Sequence, residues 1–174
     1  MRRRLAEVAV TVVLLSAAGC STAEPDAARP TASAPASAAP TPTFAEVGRG
    51  DTESVVKVRK YDPRERALVV EPTVFLQGPD FCEAFHLPGT DPRCERDWAT
   101  EDSKVKVTLP VSPGAALLTI RDGEPECLDD RTGAGTCRWS EDALAERVAQ
   151  EDGLLARLTT RDGVATRIAE VFVP

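Results

Sequence analysis

The chain is short of the residues from which most catalytic sites are built. It has one histidine, one methionine, one tyrosine and two tryptophans among 174 residues, and aromatics make up only 5%. There is no GxSxG elbow, no HExxH, no P-loop and no CxxC, so the common sequence signatures of serine hydrolases, zinc proteases, nucleotide-binding enzymes and thiol redox proteins are missing. A Ser-His-Asp arrangement would have to use His86, with Asp80 or Asp91 as its acid. The longest uncharged apolar stretch, Val8 to Ala18, falls well short of the roughly 20 residues that span a hydrocarbon core. Basic charge is also in deficit, with 21 Lys and Arg against 28 Asp and Glu. A concentrated basic face for a phosphate backbone is therefore not expected, and nucleic acid is excluded as a partner.

What is present begins with Met1-Arg2-Arg3-Arg4, the apolar stretch and the run Leu15-Ser16-Ala17-Ala18-Gly19-Cys20. A basic start, a short apolar region and small residues before a cysteine form an export signal. The run resembles a bacterial lipobox, although Ala17 stands where Leu is usual. The resemblance implies diacylglycerol attachment to the sulfur of Cys20, cleavage on its N-terminal side, and anchoring at the extracytoplasmic face of the cell membrane. The alternative is an ordinary secretory signal cleaved near Ala18. Residues 1–19 are then the signal peptide and 20–43 a tether. Ala, Pro, Ser and Thr dominate that tether and leave it nothing with which to fill a core. Removing Arg2, Arg3, Arg4 and Glu7 with the leader leaves 18 basic and 27 acidic side chains, a formal charge of −9.

Residues 44–174 have the size of a single domain. The four remaining cysteines, Cys82, Cys94, Cys127 and Cys137, lie in a chain bound for an oxidising space and read as two disulfides. Three pairings are possible. Neighbour pairing is favoured, because Cys82 with Cys94 and Cys127 with Cys137 each bracket a segment rich in Pro, Gly and Asp. A zinc site from Cys82, His86 and Cys94 is the competing use, but the spacing fits no familiar module. No metal and no cofactor is expected.

Alternation gives the strands. Val56 and Val58 oppose Lys57 and Arg59, and Leu68 and Val70 return after the turn Tyr61 to Arg66. Val105, Val107, Leu109 and Val111 are expected inward. After Ser112-Pro113-Gly114, Ala115 to Ile120 forms another strand, and Leu154 to Thr160 turns at Arg161-Asp162-Gly163 into Val164 to Val173. The one helix expected is Glu141 to Gln150, with Ser140 as its N-cap and Leu144 and Val148 inward. This order fits a mainly β, five-stranded OB-like barrel with one helix and disulfide-stapled insertions. Val55-Val56-Lys57-Val58, Thr108-Leu109-Pro110-Val111 and the terminal Asp-Gly-Val strand resemble uncharacterised small secreted lipoproteins of high-GC Gram-positive (actinobacterial) type. That resemblance implies location and an OB-like fold, and brings no activity.

Several short patterns have plain readings. The basic run Lys57, Arg59, Lys60, Arg64 and Arg66 reads as the solvated side of a strand pair. Ser103-Lys104-Val105-Lys106 has S-x-x-K spacing, but an alternating strand would point its Ser and second Lys to opposite faces. Arg49-Gly50-Asp51 is short enough to occur by chance, and Glu124, Glu126, Asp129 and Asp130 lack the order of a calcium loop. The long interruption Gln77 to Ser103 stands out, because it holds Phe81, Phe85 and Trp98. These rings are expected to cap one end of the barrel. The sharper alternative is that Phe85, His86 and Trp98 present a binding face to an envelope protein or a glycan. The functional expectation is a monomeric, non-enzymatic binding or scaffolding module of the cell envelope, lipid-anchored through Cys20. The alternative is an envelope hydrolase using His86 or clustered carboxylates.

Overall fold

The computed structural model describes residues 41–173. The signal peptide, the lipid attachment expected at Cys20 and the tether up to residue 40 lie outside the described residues. The strands are β1 (Thr52–Asp62), β2 (Ala67–Leu76), β3 (Ala99–Asp102), β4 (Val107–Thr119), β5 (Cys137–Arg138), β6 (Leu154–Arg161) and β7 (Val164–Glu170). Helix α1 (Gly78–Ala84) lies between β2 and β3, and α2 (Glu141–Gln150) between β5 and β6.

The sheet runs in the order β3-β2-β1-β6-β7-β4-β5, and β2 also pairs with β4. That extra pairing closes a cycle. β1 lies antiparallel to β2 and β6, β6 antiparallel to β7, β7 parallel to β4, and β4 antiparallel to β2. β3 and β4 share one edge of β2, β4 along Ala67 to Val70 and β3 along Thr73 to Leu76. The chain between them turns at Ser103 to Lys106, where Lys104 has φ 61°.

Side chains follow the pleat. Val56, Val58, Leu68, Val70, Ala156 and Leu158 are fully buried in one cluster, joined by Leu144 and Val148 from α2. Val47, ahead of β1, is buried in the same cluster. Ser140 caps α2 as expected, its hydroxyl accepting from the Ala143 amide at 3.1 Å. The β6–β7 hairpin turns on Asp162 and Gly163, with φ of 49° and 76°, the left-handed pair that matches the twist of the flanking strands. Both disulfides have the expected pairing, Cys82–Cys94 with Cα atoms 5.6 Å apart and Cys127–Cys137 at 4.9 Å.

The details depart from expectation in three places. Among the described residues, seven strands and two α-helices replace five strands and one helix. The additions are short, β3 with four residues, β5 with two and α1 with seven, and tertiary pairing holds them rather than any long periodic pattern. The two strands expected on either side of Ser112-Pro113-Gly114 are one strand, whose pairing with β7 slips between Val111 and Ala116. Val105, expected inward, is 61% exposed because it lies in the turn before β4. The S-x-x-K spacing is thus carried by a turn and not by a strand.

Candidate functional site

A strongly polar concavity forms where β4, β7 and α2 meet. Glu170 ends β7 with only 3% of its surface exposed. One carboxylate oxygen accepts from the Thr119 hydroxyl at 2.7 Å and the Ile120 amide at 3.1 Å, and the other faces the Arg147 guanidinium at 3.4 Å. Helix α2 positions Arg147 within reach of Glu151 as well, at 3.1 Å. The chain leaves β4 through Arg121 and Asp122, at φ 44° and 58°. Two successive non-glycine residues in the left-handed region are uncommon, and such backbone tends to gather at functional sites.

These elements enclose a groove of about 510 Å³, and Arg138, Trp139 and Glu146 line its other side. Its charges are mixed. Asp122, Glu124, Glu146 and Glu170 stand among Arg121, Arg138 and Arg147. Arg121 approaches Glu124 at 3.9 Å, Arg147 approaches Asp122 at 3.9 Å, and Gln150 donates to Glu146 at 3.2 Å. Arg138 is exposed and has no ion pair among the described residues. Trp139 is half-buried with its ring against the main core. No Ser, Cys, His or Lys lines the groove, and the Thr119 hydroxyl already donates to Glu170. The arrangement offers a flat ring beside alternating donors and acceptors. It suits a neutral polyhydroxy or peptide-like ligand better than a strongly charged one. Residues 119, 139, 147 and 170 are too far apart in sequence for spacing to reveal the groove, and an acid within an otherwise buried run, Ile168-Ala169-Glu170-Val171, was the one available signal.

The three residues anticipated as a binding face do not share a groove. Phe85 tilts against Phe81 with ring centroids 4.5 Å apart. It belongs to a second small cluster with buried Phe81, Cys82 and Ala99. Trp98 stacks on Phe75 at 4.8 Å and 11°. Phe85 and Trp98 are both half-buried and line separate grooves, and the exposed His86 lines neither. The Cys82–Cys94 bond also consumes the two sulfurs that a site with His86 would need for zinc.

Asp91 is committed to Arg93 through the Nε and Nη2 atoms at 2.9 and 2.8 Å and the backbone amide at 3.0 Å. The guanidinium first, and then the amide, hold its carboxyl at about 2, against an ordinary 3.8. Arg93 in turn lies over the Phe81 ring at 5.4 Å, so this pair pins the loop to the small cluster. A depressed folded-state pKa stabilises above the unfolded value and is lost as pH falls toward the folded one. Protection factors across residues 78–98, taken against intrinsic exchange at each pH, therefore fall between about pH 4 and pH 2, and Asp91→Asn flattens that acid dependence. An exchange profile in the variant matching wild type over this range contradicts the assignment.

The other motifs have structural uses. Lys57 pairs with Asp102 at 2.5 Å and Arg59 with Glu71 at 2.7 Å, so the start of the basic run is neutralised across the sheet. Arg66 pairs with Glu141 and donates to the Ser112 carbonyl. Asp51 of the Arg-Gly-Asp tripeptide accepts from the Asp162 amide and from Arg161, and these donors lower its pKa. The tripeptide's acid thus braces the β6–β7 turn. Asp129 accepts from the Thr132 hydroxyl and amide, which lower its pKa likewise. Among the described residues no group of three His, Cys, Asp or Glu is arranged to hold a metal ion.

Fold and groove together define a mainly β, twice disulfide-bonded domain with a mixed-charge groove beside its second helix. Comparison with family models, curated proteins and solved structures found no match.

Proposed function

We propose that this chain is an extracytoplasmic lipoprotein, anchored through diacylglycerol on Cys20, whose domain is a non-enzymatic binding or scaffolding module of the cell envelope. The observation that carries this reading is the cysteine inventory. Five cysteines are present and four pair with one another, so Cys20 has no cysteine of its own chain left as partner. Two disulfides in one small domain fit an oxidising compartment, and a remaining cysteine directly after Ala-Ala-Gly fits lipid attachment. The same reading makes the chain similar in type to small actinobacterial lipoproteins.

The domain itself reads as an OB-like barrel. Support comes from the cycle β1-β2-β4-β7-β6, whose one parallel contact joins β4 to β7, the third and fifth of these strands in chain order, with α2 inserted between the third and fourth. The segment from α1 through β3 is then the elaboration between the second and third barrel strands, and β5 is an annex to the third. The ligand that best fits the groove is an envelope glycan or an extended peptide, held by Trp139 and the exposed Arg138.

In an actinobacterial host, the wild-type chain incorporates labelled fatty acid and fractionates with membranes, and mass spectrometry of its N-terminal peptide finds diacylglycerol on Cys20. Cys20→Ala abolishes the label. A wild-type chain released unlabelled into the medium overturns the anchor. Purified envelope glycan strands, retained by wild type and not by Trp139→Ala, support the binding role. Conversion of those strands to shorter products supports a hydrolase acting through the groove carboxylates instead.

A further inference from the structure

A second surface carries an inference of its own. Phe44 and Val105 are exposed, by 38% and 61%, and they face a groove of about 430 Å³ that Val47, Pro72 and Val107 complete. Phe44 also lines an adjoining groove with Phe85, Leu87 and Lys104. Large apolar side chains grouped around a groove on a strongly acidic protein are not explained by packing, because exposure leaves their surface in water.

The unpaired charge around this patch leans basic, unlike that of the whole chain. Arg49, Lys104 and Lys106 are exposed and make no ion pair among the described residues. Of the acids at the two grooves, Asp102 is held by Lys57 and Arg59, and Glu101 lies 3.7 Å from Arg93. Glu46 alone lacks a cationic partner among the described residues. Two available cations, Arg49 and Lys104, thus line the grooves against one available acid, and Lys106 follows in the same turn, on a mature chain of formal charge −9.

The chain enters the domain at the same place. Thr41 and Pro42, the first described residues, line the groove that Phe44 shares with Lys104. Residues 21–40 separate them from Cys20, a reach of at most about 70 Å. A lipid on Cys20 therefore confines this face near the bilayer, where a contact too weak to form in solution is populated.

We infer that the Phe44 and Val105 face, rimmed by Arg49 and Lys104 with Lys106 beside them in the chain, rests on the anionic headgroup layer of the membrane and orients the domain there. The inference rests on the anchor proposed for Cys20. Phe44 and Val105 supply apolar contact at the headgroup boundary, and the cations supply attraction to anionic lipid. The groove beside α2 belongs to a different set of elements, so docking this face leaves that groove's lining residues uninvolved.

The test uses the lipidated mature chain in vesicles of phosphatidylcholine with phosphatidylglycerol, and in phosphatidylcholine alone. Flotation reports the anchor, and hydrogen exchange over residues 44–49 and 103–107 reports the face. Exchange in both segments slows in the anionic vesicles relative to the neutral ones. Lys104→Glu with Lys106→Glu reverses this by roughly fivefold or more per lysine. Both lysines are exposed, and unchanged exchange in β6 serves as the control for folding. A chain that floats with anionic vesicles while these segments exchange as in neutral vesicles overturns the docked face and leaves the anchor intact. Protection that follows protein concentration rather than lipid charge assigns the face to a second copy, which also overturns it. Failure to float removes the anchor, and the docking inference falls with it.

Discussion

Replacing Glu170 with Ala lowers the stability of the domain by about 3 kcal/mol, because two buried donors lose their acceptor at once. The Ile120 amide and the Thr119 hydroxyl both point at one carboxylate oxygen of a residue that is 3% exposed. Thr119 is itself only 6% exposed, so both donors lie at the floor of the groove and not on its rim. Arg147 loses least. It is a third exposed and keeps Glu151 at 3.1 Å. Arg147→Ala therefore costs only about 1 kcal/mol, in the range of a partly screened pair. Glu170→Gln keeps one carbonyl acceptor and falls between the two. Urea denaturation separates these cases through the midpoint at constant slope. Equal shifts for Glu170→Ala and Arg147→Ala would mean that the ion pair, and not the two neutral donors, dominates the site.

That residue also shows why the sequence disclosed the scaffold better than the groove. Period-two burial in β6, with Leu154, Ala156 and Leu158 inward, follows the pleat and largely the sequence, with Leu155 outward and Thr160 inward as exceptions. The same holds for Val56 and Val58, and for the capped amphipathic helix at Glu141. Local rules decide these elements, so a local reading finds them. Glu170 is different, because its partners come from β4 and α2 and only the closed cycle of strands brings them together. Val105 shows the converse failure. Its spacing from Val107 and Leu109 suggests an inward strand position, yet β3 already occupies the far half of the β2 edge and forces the chain to turn there. Alternation says which residues match a face, but not where a shared edge runs out. The disulfides were legible because each pair brackets one loop-like segment rich in Pro, Gly and Asp, and the structure pairs them that way.

Replacing Phe81 with Ala costs about 4 kcal/mol, in the range for a fully buried ring, and the loss falls on the stapled excursion and not on the main sheet. Phe81 is 0% exposed and is the largest member of a cluster that shares no residue with the main core. Its removal therefore opens residues 78–98 locally while β1, β6 and β7 keep their protection, and hydrogen exchange resolves the two regions. The Cys82–Cys94 bond limits the opening, because a cross-linked loop has less entropy to gain. Phe85→Ala and Trp98→Ala each cost about 1 to 2 kcal/mol, since each ring is half-buried and packed against one aromatic partner. A double variant of Phe85 and Trp98 that keeps the excursion closed leaves these rings free to be tested for binding. If that double variant opens the excursion as fully as Phe81→Ala does, the rings are part of its core and the binding face expected there loses its basis.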